Sequence, residues 1–167
     1  IHSGSSTGVI VQATKQVSGL NANLNDVTEC ATQHGNTINI TTMAKSGTSV
    51  GVDNINGVDL DITVPTTVNG RINTQIGVVS INGTTGQFSV HTQIGSVKMD
   101  NVTTRGQLQV QTATGSISFT GTLDPQSADT FQTQVGNVDV TLPGNTSFTL
   151  KTSVDVGKIK NAFGSSS

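Results

Sequence analysis

Apolar and polar residues alternate with a period of two along much of the chain. The clearest run is Val58-Asp59-Leu60-Asp61-Ile62-Thr63-Val64, and strict alternation of this kind predicts a half-buried strand. Thr fills many of the remaining strand positions, which its β-branch suits. Helical periodicity is weak throughout. The best helical candidate, 24–33, is built from poor helix formers and carries no sustained apolar stripe,.

The alternation recurs as a repeat. Five segments read Ile72-Asn73-Thr74-Gln75-Ile76-Gly77, Val90-His91-Thr92-Gln93-Ile94-Gly95, Val110-Gln111-Thr112-Ala113-Thr114-Gly115, Phe131-Gln132-Thr133-Gln134-Val135-Gly136 and Leu150-Lys151-Thr152-Ser153-Val154-Asp155. The shared pattern is apolar-x-Thr-x-apolar-Gly, from which Thr114 and Asp155 depart, and the copies follow one another at 18, 20, 21 and 19 residues. Apolar residues also stand two and four places after each Gly, at Val79/Ile81, Val97/Met99, Ile117/Phe119 and Val138/Val140. Before the Gly, the apolar and Thr positions lie one, three and five residues back, so the alternation slips phase at the Gly. Such a slip marks a corner that lets both flanking strands face one interior.

Units of about 20 residues with two short strands each cannot bury a core alone, but stacked coils can. The expected fold is therefore all-β: a single-domain β-solenoid, or β-helix, with regular coils over 66–163. Residues 1–65 read as degenerate N-terminal coils and cap, and 164–167 as a disordered tail. In 1–65, Gly8-Val9-Ile10-Val11, Val17-Ser18-Gly19-Leu20 and Thr37-Ile38-Asn39-Ile40-Thr41 read as strands, and Thr32-Gln33-His34-Gly35 echoes the repeat. Coils rise about 4.8 Å each, so five make a stack roughly 24 Å tall. The expected core is Ile72, Val79, Ile81, Val90, Val97, Met99, Val110, Ile117, Phe119, Phe131, Val138, Val140 and Leu150. A Thr column (Thr74, Thr92, Thr112, Thr133, Thr152) joins it on the inward face. Outward columns run Asn73/His91/Gln111/Gln132/Lys151 and Gln75/Gln93/Ala113/Gln134/Ser153, forming a flat, amide-rich face. The competing architecture is a β-sandwich, which also has many short, evenly spaced strands.

Composition narrows the function. Thr, Ser, Asn and Gly make up 77 of 167 residues, charged residues only 11%, and Trp and Tyr are missing. No run is long and apolar enough for a membrane-spanning helix. A net charge of −2 with scattered Lys and Arg leaves no nucleic-acid footprint,. One Cys excludes an intrachain disulfide framework and a Cys-based zinc site.

Candidate chemistry is sparse. Asp59 and Asp61 share one strand face about 7 Å apart, a spacing open to a glycosidase pair, but they read as a polar, solvated strand face. Adding Asp53 would suit calcium, which needs six or more oxygens in one place, but the sequence has no Gly-Gly-x-Gly-x-Asp nonapeptide, so calcium binding is not expected. His2, His34 and His91 lack metal spacing, and His91 reads as a solvated rung. Cys30 reads as a buried structural thiol rather than a nucleophile. Asn-x-Ser/Thr triplets at Asn39, Asn82, Asn101 and Asn145 are as frequent as this composition produces by chance. No catalytic residue, cofactor-binding residue or metal ligand is expected. The expected contact residues are Asn73, Gln75, His91, Gln93, Gln111, Gln132, Gln134 and Lys151, with the loop edges 83–86, 103–106 and 124–129 beside them.

The strand Val58-Asp59-Leu60-Asp61-Ile62-Thr63-Val64-Pro65, the following Val68-Asn69-Gly70-Arg71-Ile72, and the pieces GSISFTG (115–121) and GNVDVTLPG (136–144) resemble the bacterial adhesin-domain family. These are β-solenoid domains of unknown molecular function, and the likeness spans about 8–160. It implies a module outside the cytoplasmic membrane, and with the sparse, dispersed titratable groups the expectation is a noncatalytic cell-surface or envelope module acting by protein or glycan contact or as a rigid spacer. The chain opens at Ile1 without Met, which reads as a processed piece whose anchor lies outside it,. The alternatives are a polysaccharide-active β-helix enzyme and the ectodomain of an envelope regulator. The family defines no functional residue, so none carries over.

Overall fold

A computed structural model of the protein describes residues 1–5, 7–16, 25, 27–44, 57–144 and 147–163. The expected strand at 17–20, the acidic residues Asp26 and Asp53, the Asn145 triplet and the tail 164–167 lie outside these residues. The protein is nearly all β and forms a β-solenoid of about four turns, with coils of about 21 residues. By Cα proximity the chain forms two compact units, one of residues 1–10 and 63–167 and one of residues 11–62.

The first unit holds the coils. Its strands are β1 (His2–Gly4), β6 (Gly70–Ile76), β7 (Val79–Asn82), β8 (Thr85–Gly86), β9 (Phe88–Ile94), β10 (Val97–Thr104), β11 (Gln109–Thr114), β12 (Ile117–Thr122), β13 (Ala128–Leu142) and β14 (Thr149–Phe163), and the end of β5 (Gly57–Pro65) enters it. One face stacks β6, β9, β11 and the first halves of β13 and β14. The next stacks β7, β10, β12 and their second halves. Every one of these ladders is parallel, which rules out the antiparallel sandwich.

The corner glycines stack as the repeat demands. Each corner N–H bonds to the coil that follows it, Gly77 to Ile94, Gly95 to Thr114 and Gly115 to Val135. A Cβ on Gly95, Gly115, Gly136 or Gly157 would overlap the carbonyl of the preceding corner glycine, and all four have φ between +145° and +150°. Only glycine fits both demands.

Eleven of the thirteen expected core residues are buried, among them Ile81, Met99, Phe119, Phe131 and Val140 at 0% exposure. Ile72 and Leu150 are only partly buried. Each belongs to a terminal strand of the stack, β6 or β14, which among the described residues pairs on one side only. Phe119 and Phe131 meet with ring centroids 5.3 Å apart at 58°, a tilted pairing favoured by the ring quadrupoles.

Two details of the coils differ from the sequence reading. The first is the register of the last coil. Gly157, not Asp155, pairs with Gly136, so Val154 pairs with Thr133, Thr152 with Phe131 and Lys151 with Thr130. Thr152 thus leaves the Thr column, and Lys151 joins the column of Arg71, Ser89, Gln109 and Thr130. The reason is steric: a side chain at the corner collides with the Gly136 carbonyl. The second is the residue before each corner glycine, which parity placed inside at Ile76, Ile94 and Val135. Ile76, Ile94, Val135 and Val156 are 76%, 54%, 47% and 63% exposed. The corner begins one residue after the Thr, so two successive side chains point outward and these β-branched residues form an external ridge.

The second unit contains β2 (Ile10–Gln16), which neighbours β5, and the strands β3 (Val27–His34) and β4 (Thr37–Ala44). β3 and β4 pair antiparallel, Val27 with Ala44 through His34 with Thr37. The segment 32–35 is therefore the end of a hairpin rather than an echo of the repeat. Gly35, at φ 58°, opens its two-residue loop, as a type II′ turn requires. The weak helical candidate becomes β3, where Thr and Val outweigh a faint helical pattern. Lys15 and Glu29 form a salt bridge at 2.9 Å, and the Gln16 amide donates to Asp59.

Candidate functional site

The outward side chains of β6, β9, β11, β13 and β14 form the candidate face. In-register pairing places Asn73, His91, Gln111, Gln132 and Ser153 in one column. Gln75, Gln93, Ala113, Gln134 and Asp155 stand beside the paired Thr column of β6, β9, β11 and β13, continued by Val154. Seven of the eight expected contact residues are exposed, and Gln111 is partly so. Seven lie in these two columns. Lys151 is exposed but stands two residues farther from the corner, through the register just described. Neighbours within a column are one coil apart, about 4.8 Å, and neighbours along a strand face about 7 Å apart.

The face is not uniform. Ala113 interrupts the glutamine column, and a shallow depression of about 240 Å³ opens there between His91, Gln111, Gln132 and Gln134. The depression offers three primary amides and an imidazole. Each amide both donates and accepts, which suits hydroxyl, amide or peptide partners. Beside it runs the ridge of Ile76, Ile94, Thr114, Val135 and Val156, which pair in sequence from coil to coil. Sequence reading missed this ridge because alternation put it indoors. The tolerance of an outward Thr114 in the same column was the available signal.

Other titratable groups are engaged structurally. Asp124 accepts from the backbone N–H of Gln126 at 3.0 Å and of Gly106 at 2.7 Å. These bonds hold its carboxyl below the usual aspartate range. Asp129 faces inward in the column of Phe88, Leu108 and Leu150. Burial pushes its carboxyl up, against the Leu108 N–H that donates to Oδ1 at 2.7 Å. Its Oδ2 is buried without a partner. The sequence had placed Asp129 only at a loop edge, since a carboxylate in an apolar column breaks the pattern. Ser96, Ser116, Asn69, Asn137 and Thr104 likewise accept from backbone N–H groups one coil on. Small polar residues thus complete coil-to-coil bonding where the ladders lapse at corners.

The remaining candidates stay apart. Among the described residues, no three His, Cys, Asp or Glu side chains come together as metal ligands. His2 contacts Thr63 at 3.1 Å. Cys30 is exposed on β3, not buried, because a two-stranded hairpin is too thin to cover both its faces. A second shallow depression, of about 300 Å³, lies between the last two coils at Asn137, Val138, Asp139, Lys158 and Lys160. Among the described residues no helix is long and apolar enough to cross a membrane.

Comparison with known proteins returns no match to any family model, any curated protein or any solved structure. The likeness to the adhesin-domain family therefore rests on the motifs quoted above.

Proposed function

We propose that the protein is a noncatalytic contact module of the bacterial cell surface or envelope, which binds protein or glycan through the amide face. The observation that carries this reading is the in-register array itself. A rigid stack repeats Asn, His and Gln side chains at strand spacing, and the break at Ala113 opens a depression among His91, Gln111, Gln132 and Gln134. Preorganised amides bind with little loss of conformational freedom, and the aliphatic ridge beside them supplies apolar contact. The dispersed carboxylates support a noncatalytic role, because an active site gathers groups that tune one another. Placement outside the cytoplasmic membrane rests on the family resemblance.

A glycan and envelope-protein binding screen tests the reading. The control combines His91→Glu, Gln111→Glu and Gln132→Glu, which fills the face with negative charge while leaving the core alone. Binding by the wild type that the triple variant loses supports the face. Binding that survives it moves the site elsewhere, and turnover of a polysaccharide by the purified protein overturns the noncatalytic reading. Cell fractionation of the native host tests the location.

A further inference from the structure

The last coil uses only half of its bonding capacity. Among the described residues β14 pairs with β13 alone, from Thr149 opposite Ala128 to Phe163 opposite Leu142. Among the described residues no strand pairs with its other edge, and such a row of backbone donors and acceptors along a 15-residue strand is a template for another strand. The inward side chains there are also half-covered. Leu150 and Val154 are partly buried and Ile159 is 42% exposed, whereas their pairing partners Asp129, Thr133 and Val138 are fully buried.

We propose that this edge is an interface between two copies of the chain, paired antiparallel about a two-fold axis through the Val156–Gly157 corner. The corner divides β14 into arms of nearly equal length, 149–156 and 157–163. Rotation about the corner lays each arm on the opposite arm of the other copy and makes the two interiors continuous. It places Asp155 opposite the partner's Lys158, Val154 opposite the partner's Ile159 and Ser153 opposite the partner's Lys160. By symmetry the Asp–Lys pair occurs twice. Both Asp155 and Lys158 are exposed, and Val154 and Ile159 are two of the half-covered inward residues.

Other arrangements fit less well. One neighbouring register sets Lys151 opposite the partner's Lys160, and the other sets the bent Val156 against the straight segment at the partner's Ile159. Head-to-tail stacking of β14 on β6 brings Lys151 beside the partner's Arg71. It also meets an occupied edge, because the Ile1 amino group donates to the Ser80 carbonyl at 2.8 Å and the Ile1 carbonyl accepts from the Asn82 N–H at 3.0 Å. Edge lysines deter pairing with arbitrary strands, and the two-fold register is the one that gives Lys158 an opposite charge. The interface lies at the end of the stack and leaves the amide face open, so it stands or falls separately from the proposed function.

The test is sedimentation equilibrium of the full chain at low ionic strength, for the wild type, Asp155→Lys, Lys158→Asp and the combined charge swap. The wild type is expected to dimerise. Each single variant creates two like-charge contacts and weakens dimerisation roughly tenfold or more, and the swap restores it. Concentration-dependent slowing of amide exchange over 150–160 provides a second readout that does not depend on a variant's folding. A wild type that stays monomeric up to about 1 mM, single variants that dimerise like the wild type, or a swap that fails to recover overturns the proposal.

Discussion

The hydroxyl of Thr133 donates to the carbonyl of Gly115, 3.0 Å away and one coil earlier. Thr112 makes the same bond to Gly95, also at 3.0 Å. Thr112 and Thr133 therefore brace strand to corner. Thr92, in the same column, is buried with its hydroxyl unpartnered. Replacing Thr133 by Val should cost about 1 kcal/mol, since the lost bond leaves a carbonyl less satisfied. Replacing Thr92 by Val should be neutral or stabilising, because it removes a buried hydroxyl that gains nothing. Urea denaturation of the two variants checks the contrast, and equal losses would show that the braces carry no specific energy.

The same carbonyls make the corner glycines irreplaceable. Gly136→Ala sets a Cβ against the Gly115 carbonyl at φ 148°. Backbone strain and overpacking each cost about 1–3 kcal/mol, so the variant should lose several kcal/mol. Gly35→Ala, where nothing lies within 4 Å of the added methyl, incurs strain alone and should lose less. Thermal melts of the two variants measure the difference.

Phe119 tests the interior. It is fully buried beside Phe131, so truncation to Ala should cost roughly 3–5 kcal/mol. A loss below about 1 kcal/mol would place it at a surface.

Asp129 makes stability depend on pH in an unusual direction. Its carboxyl is raised in the folded state by burial, so the folded chain holds that proton more tightly than the unfolded chain. The resulting stability is present below the ordinary aspartate range and is lost as pH rises through the raised value. Asp129→Asn removes this dependence. The stability of the variant relative to wild type should therefore improve between about pH 4 and pH 7, as read from paired urea melts. No change in the gap would mean that Oδ2 finds water on opening. Asp124 contributes with the opposite sign, since its lowered value adds stability that is lost on acidification, so Asp124→Asn serves as the control.

Short-range pattern determined much of this protein. Alternation around a recurring glycine was enough to predict parallel coils, because a two-residue period and a corner residue leave few ways to bury Val90, Val110 and Phe131 together. It was also enough to name the outward amide columns, since parity alone separates His91 from Thr92. What parity could not carry was the corner itself. Ile76, Ile94 and Val135 look inward by counting, yet two side chains in succession turn outward there, which only the three-dimensional path of the backbone decides.

The last coil and the second unit show the same limit. Matching Thr152 to Thr133 preserves residue type, but contact between Gly157 and the Gly136 carbonyl outweighs that match, because a steric overlap costs more than one hydroxyl bond. Asp129 was invisible as a core residue, since its stabilising contact, the Leu108 N–H, belongs to another coil and is 21 residues away. Over 37–41 the local signals specify a strand, but over 27–34 they specify neither a strand nor its partner. The two-residue loop at Gly35 joins them antiparallel, and that pairing is a property of the folded chain.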